Sequence, residues 1–466
     1  MAAGFPRLGG ATIRAGLAVG AGMLLCASVN CAQQPSAAPA RAALGPLTLA
    51  FTGVTVIDVT DGRLLPQQTV VLTGNRIAAV GPAPQVLVPS GAQVIDARGK
   101  YLIPGLWDMH AHTEFPGSDD IALQDSIYRQ SYPVYVANGV TGIREMAQRF
   151  PNGADSFRVW QRAVLAGQRV GPRAVGPSAD LSYELEIATP EDARRIVDSL
   201  QAAGDAFVKY HGEPDARDPF FALAREARRV GLPLVGHVSA LVTNVEAADS
   251  GQSDVEHAAE NRQCSEPDDS MQPWDSAAEA KQCGPVATAY LRNGTWITPT
   301  LVVYHYAFKN RDDVIREMTR VVQILHHLGV QRILAGTDCA AEVLQSWGVD
   351  PVCHRGVSLL EELVWLVGAG LTPLEALQAA TLNPAKSLHG TDSLGTVAPG
   401  KVADLVLLDA DPLVDMRNVM KIRAVVANGR YFERAALEAM DPEGVLVAKG
   451  YLDQQAQAGK IGGATP

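Results

Sequence analysis

The sequence predicts an α/β fold: a (β/α)8 TIM barrel carrying a small β-sandwich built from both N- and C-terminal segments. Two patterns predict it. Through the middle of the 466 residues, short apolar strands alternate with helical stretches eight times. On either side of that region lie β-rich segments of one style, which are expected to pair into a single small domain. A third observation removes the main competitor. An open doubly wound sheet calls for a glycine-rich loop after its first strand, and none is there.

The elements follow in chain order. Residues 1–32 read as a signal peptide: Arg7 and Arg14 without an acid, then the apolar run Ala15 to Val29. That run is short for a membrane span, which needs roughly 20 residues. Residues 33–46, rich in Pro, Ala and Ser, read as a flexible spacer. Cys26 and Cys31 raise the lipoprotein reading, but neither follows a Leu-x-small triplet. Export to the periplasm or outside the cell is the expectation. Residues 47–100 form the first part of the sandwich, with "LTLAFTGVTVIDVT" and "QTVVLTGNRIAAVG" as strands between Gly, Asn and Asp turns.

The barrel is assigned to residues 101–385. Its strands are "YLIPGLWDMHAH", "GVTGIREM", "PRAVGPS", "AFVKYHG", "PLVGHVS", "SDVEHAA", "TWITPTLV" and "RILAGTD". Between them, "TPEDARRIVDSLQAAG" opens with Thr189 as N-cap, Pro190 at the first position and acids in the first turn. "FFALAREARRVG" and "LEELVWLVGAG" are expected to end on glycine C-caps. Residues 386–440 return to the sandwich through "VADLVLLDADP" and "IRAVVANGRYF", and 441–466 form a tail.

Composition bounds the partners. Hydrophobic residues make up 47% of the chain, enough for a large core, and the net charge is −11. That balance excludes a nucleic-acid partner, because no basic stripe exists to replace counterions. Four cysteines lie outside the signal region. Their proximity suggests the disulfides Cys264–Cys283 and Cys339–Cys353, with buried free thiols as the alternative. Zinc binding by these four lacks the C-x-x-C pair it would need.

The polar residues at the strand ends carry the chemistry. His110 and His112 sit one residue apart at the end of the first strand, so both imidazoles face one side. Lys209 lies on the fourth strand, His237 on the fifth, His257 on the sixth and Asp338 at the end of the eighth. Each alone has an ordinary explanation in packing, snorkelling or helix capping. Together, at matching strand ends that meet at one barrel mouth, they point to a metal site. Imidazole and carboxylate suit two zinc-like divalent ions. A protonated lysine would repel a metal, so Lys209 fits only when CO2 adds to its amine and the carbamate bridges both ions. A hydroxide between the ions is then the nucleophile, with Asp338 as general base and acid.

This arrangement resembles the amidohydrolase superfamily, in the subtype with a bridging carboxylated lysine. The resemblance covers nearly the whole chain after the signal region. "YLIPGLWDMHAH" is similar to the family's first-strand motif and "VADLVLLDADP" to its return to the sandwich. It implies that His110, His112, Lys209 and Asp338 hold the more buried ion, and that Lys209, His237 and His257 hold the more exposed one. Residues 208–257 resemble the imidazolonepropionase-like branch, which includes Xaa-Pro dipeptidases and ochratoxin-type amidases. Lys209 counts against imidazolonepropionase itself, which works with one metal.

The resulting expectation is a binuclear amidohydrolase cleaving a C–N bond of an N-acyl amino acid or Xaa-Pro dipeptide. The alternatives are a lactonase, esterase or organophosphate-type hydrolase on the same metals, and a non-catalytic binding protein on this fold. The expected partner is a small-molecule amide or dipeptide; homo-oligomerisation stays open, and no membrane contact beyond the signal peptide is expected. Among substrate-facing candidates, Arg144 would bind a carboxylate or pair with a nearby acid. Tyr210 and His211 follow Lys209; His211 shares its face and would polarise the scissile carbonyl, with packing behind the ligands as the equal alternative for both. Asp108 shares the face of His110 but lies deeper, as a support for the ligands. Tyr304 and His305 are mouth-loop candidates after the seventh strand.

Overall fold

β-Branched and aromatic residues alternate from Thr48 onward, and they build strands there. The computed structural model describes residues 48–113, 121–146, 151–176, 187, 189–211, 216–265, 276–308, 311–339, 353–444 and 446–451. The signal-peptide and spacer assignments, and the tail beyond residue 451, lie outside these described residues.

The two β-rich ends of the chain pair in one sheet. Thr48–Asp58, Arg63–Thr73, Arg76–Pro82 and Gln93–Asp96 from the N-terminal side join Leu405–Leu408, Ile422–Ala427 and Arg430–Glu433 from the C-terminal side. The seam is Tyr101–Pro104, which runs parallel to Thr48–Asp58 and antiparallel to Leu405–Leu408. One face of this sheet buries Phe51, Val56, Leu72, Leu102, Leu405 and Val426 in a core of its own. Side chains of the other face, Ile57, Ile103, Val406 and Val425, join the main core. Alternation along each strand divides the two sets.

The stretch read as one first strand is therefore two. Tyr101–Pro104 belongs to the composite sheet, and Leu106–Ala111 is the first parallel strand. Gly105 is the joint. A Cβ there would stand 1.9 Å from Thr141 Oγ1, so only glycine allows the approach of the second strand.

The parallel strands are Leu106–Ala111, Val140–Glu145, Arg173–Val175, Val208–Tyr210, Leu234–Gly236, Gln252–Glu256 and Trp296–Thr298. The first three pair side by side, and the last four form a second ladder. Residues 332–339 join the two: Met109 N–H donates to Ala335 O at 2.9 Å, and Leu334 N–H donates to Ile297 O at 2.9 Å. The spatial order is thus third, second, first, eighth, seventh, sixth, fifth, fourth. Among the described residues no ladder joins the third strand to the fourth.

Helices between the strands follow their caps. Pro190–Ala203 starts on a Thr189/Asp192 capping box and ends at Gly204 with φ 77°. Arg217–Val230 ends at Gly231, also at φ 77°. Val357–Gly368 differs from expectation: its C-cap is Ala369, and the left-handed residue is Gly370 at φ 96°. Both expected disulfides are present, Cys264–Cys283 and Cys339–Cys353. Among the described residues no helix is long and apolar enough to cross a membrane.

Candidate metal centre and its surroundings

The first strand delivers His110 and His112 to one side, as the period of two requires. His110 Nε2 lies 3.3 Å from His112 Nε2, and Asp338 Oδ1 lies 3.3 Å from His110 Nε2 and 3.2 Å from His112 Nε2. Asp338 is brought there by backbone pairing, its N–H donating to His110 O at 2.8 Å. These three residues can present their ligand atoms to one ion.

The other histidines continue the cluster. Ring centroids of His110 and His257 are 4.7 Å apart, those of His257 and His237 4.8 Å, and those of His237 and His211 4.7 Å. Gly236 makes the position of His237 possible. Its φ is 122°, and a Cβ there would stand 2.0 Å from Tyr210 O, the atom that accepts the His237 N–H. Lys209, 1% exposed, lies among them. Its charge acts on His110, His237 and His257.

The electrostatics favour ligand-competent forms. Burial, and then the Lys209 charge, pushes the His110 imidazole down to about 3 and the His237 imidazole down to about 2. Burial and the neighbouring His110 hold His257 well below its ordinary value. Desolvation pushes the Asp338 carboxyl up, but His110, His112 and His257 more than offset it, and it stays well below the usual carboxylate range. Neutral imidazoles and an ionised carboxylate are what a divalent ion requires.

Partners on the far side fix each ring. His110 Nδ1 contacts Glu256 Oε2 at 2.8 Å, which assigns its proton to Nδ1 and leaves Nε2 as a lone pair facing Asp338 Oδ1. His237 Nδ1 lies 3.3 Å from Glu260 Oε1, and His257 Nδ1 lies 2.8 Å from Thr300 Oγ1. Two acceptor atoms facing each other at 3.3 Å are repulsive unless a cation or proton lies between them. The donor set therefore fits a bound divalent ion. The backbone carries strain here: His257, Thr300 and Asp338 have φ of 68°, 51° and 55°. Such conformations cost on the order of 1–3 kcal/mol each and mark functional sites.

The expected substrate-facing residues divide. His211 is beside His237. Asp108 supports the ligands from below: its carboxylate accepts from His110 N at 3.1 Å, Thr337 N at 3.0 Å and Thr337 Oγ1 at 2.7 Å. Tyr304 O accepts from Ala259 N–H at 3.2 Å, whereas the His305 ring stacks on Trp365 at 3.4 Å.

At Arg144 and Tyr210 the structure decides between the two roles each could have, against contact with substrate. Arg144 does not face the mouth. It is 2% exposed, with Nη2 at 2.8 Å from Asp254 Oδ2 and 2.6 Å from Glu256 Oε1, and Nε donating to Met109 O at 2.7 Å. Its charge is spent on two buried acids, so none is left for a substrate carboxylate. Tyr210 is a core side chain. It is one residue from Lys209, hence on the opposite face, and its ring packs edge-on against Phe220 at 5.3 Å. Sequence reasoning missed Glu256 and Asp254. Their signal was two acids at i and i+2, hence on one face of the sixth strand.

A family model described as "Amidohydrolase family" matches residues 101–432. The chain is 26% identical over 410 residues to an adenine deaminase of Rubrobacter xylanophilus, covering 84% of this chain and 59% of that protein. It therefore spans less than two thirds of the length of that relative. It is 28% identical over 344 residues to an imidazolonepropionase of Pyrobaculum arsenaticum, covering 68% of this chain and 79% of that one. Among solved structures, a Xaa-Pro dipeptidase with bound methionine superposes with a TM-score of 0.66 at 20% identity, covering 83% of this chain and all of the other. The ochratoxinase of A. niger does so with a TM-score of 0.62 at 19% identity, covering 84% and 96%. These likenesses imply a TIM-barrel-like α/β domain.

Proposed function

Because the chain belongs to the amidohydrolase family, we propose that it is an exported, metal-dependent hydrolase of a C–N bond in an N-acyl amino acid or Xaa-Pro-type dipeptide. The reading takes the parallel strands to close into a barrel, the composite sheet to fold over as a sandwich, and two zinc-like ions to share a carboxylated Lys209. The two disulfides support an oxidising compartment.

One observation carries it. Lys209 is buried among His110, His237 and His257, all held neutral. A bare ammonium there would set a positive charge among the very groups that are to hold cations. A carbamate reverses its sign and supplies two more oxygen donors. His110, His112, Lys209 and Asp338 would hold one ion, and Lys209, His237 and His257 the other. When bound, such ions supply a water of lowered pKa and polarise the scissile carbonyl.

The chain's own residues do the rest. Asp338 directs Oδ1 at both imidazoles of the first strand. Oδ2 is then free to take the proton of the attacking water and hand it to the leaving nitrogen. Glu256, Glu260 and Thr300 hold the three imidazoles in one tautomer and orientation.

The test combines labelling with kinetics. With 13C-bicarbonate, the wild type is expected to show a carbamate resonance that Lys209→Arg lacks. On a panel of N-acyl amino acids, Xaa-Pro dipeptides, lactones and adenine, amide turnover is expected, and Asp338→Asn should lower kcat by about 10²–10⁴. Lys209→Ala with undiminished turnover would sink the mechanism. Activity confined to lactones or to adenine would replace the amide reading.

A further inference from the structure

The helix Leu301–Ala307 begins immediately after Thr300, the residue that fixes His257, and it carries Tyr304 one turn on. The Tyr304 oxygen accepts the N–H of Ala259, two residues past His257, at 3.2 Å. Glu260, the next residue, holds His237. The phenol is thus anchored to the segment that carries His257 and the carboxylate partner of His237. It is also near enough to Asp338 to feel its negative charge, which together with burial keeps the hydroxyl protonated.

A phenol has one proton to donate and two lone pairs to accept with. Ala259 uses a lone pair. Among the described residues the proton has no acceptor. Tyr304 is half-buried, so its hydroxyl hydrogen stays available to an acceptor that a bound substrate brings. The ring is held in place by stacking on Phe308, with centroids 6.3 Å apart. A held donor, protonated at working pH, is what stabilises charge that develops in a transition state.

The geometry points to Tyr304 as a further catalytic residue, whose O–H donates to the substrate oxygen that becomes negative during hydrolysis; this rests on the amidohydrolase reading above. As the water oxygen bonds to the carbonyl carbon, the C=O π pair moves onto the carbonyl oxygen and Asp338 takes the water proton. Tyr304 donates a hydrogen bond to that oxygen and keeps its own proton. The pair then reforms C=O, the C–N bond breaks, and the departing nitrogen takes the proton from Asp338.

Tyr304→Phe preserves the ring, its stacking and its shape. With metal content equal to the wild type, kcat is expected to fall about 10²-fold with KM unchanged. A raised KM with unchanged kcat would mean that the phenol only binds substrate, and unchanged kinetics would mean that it only packs; either overturns the assignment. Fluorotyrosines at position 304 give a second readout, since they alter the acidity of the phenol with little change in shape. If kcat tracks that acidity, the hydroxyl acts on the reacting oxygen; if kcat is indifferent, it does not, even should the Phe variant fold poorly. Should the wild type hydrolyse no amide, both readings fall. Should it do so while the Tyr304 variants match it, only the Tyr304 assignment falls.

Discussion

Glu256 shows how much a single side chain can decide. One oxygen orients His110 at 2.8 Å and the other binds Arg144 at 2.6 Å, so the carboxylate ties a candidate metal ligand to the buried ion network of the second and sixth strands. Outer partners of ligating histidines typically contribute 10–100-fold in metal affinity. Glu256→Gln is therefore expected to weaken metal binding by about that factor, read by competition with a chelator, while leaving His237 and its partner Glu260 untouched. Equal affinity in the two proteins would show that the His110 orientation is set elsewhere. Arg144 is the converse lesson. An arginine at the end of a strand could have been a substrate clamp or an ion-pair partner, and it is the second, set between the buried acids Asp254 and Glu256.

Between elements, one buried acid couples two helices. Glu362, in the helix Val357–Gly368, accepts the N–H of Val302 at 2.7 Å and so caps the start of Leu301–Ala307 from a distance. Burial pushes its carboxyl from 4.5 up to about 8, against those hydrogen bonds. A raised folded-state pKa gives stability that is full below the unfolded value and is lost as pH rises through the folded one. The wild type is thus expected to lose stability relative to Glu362→Gln between about pH 4.5 and pH 8, as followed by thermal unfolding of both proteins. Parallel curves would refute the shift. Because the same helix start carries Thr300 and Tyr304, this contact also holds the seventh-strand side of the site.

Across the molecule, the site is assembled from residues far apart in sequence, and covalent bonds pin two of its loops. Cys339 follows Asp338 directly, and its bond to Cys353 closes a separation of 14 residues; Cys264–Cys283 closes 19. Loops of this size are worth about 3 kcal/mol each in stability. Reduction is expected to lower the melting temperature by several degrees, and none of the four thiols should alkylate beforehand. Free thiols in the untreated protein would contradict the pairing.

The sequence by itself determined the alternation of strands and helices, the caps of Pro190–Ala203 and Arg217–Val230, and the strand-end positions of the residues proposed for the metal centre, of which His110, His112 and Asp338 come together around one point. Local rules suffice there, because side-chain period, capping chemistry and donor type are all written within a few residues. Only the tertiary structure decided that Gly105 divides the first strand between two sheets, that Arg144 and Tyr210 turn inward, and that Glu256, Glu260 and Thr300 hold the imidazoles. Those outcomes depend on which distant group lies across a contact: Thr141 against Gly105, Asp254 against Arg144, Phe220 against Tyr210. A burial partner that is not a sequence neighbour leaves no periodic signature, so its choice appears only once the chain has closed around it.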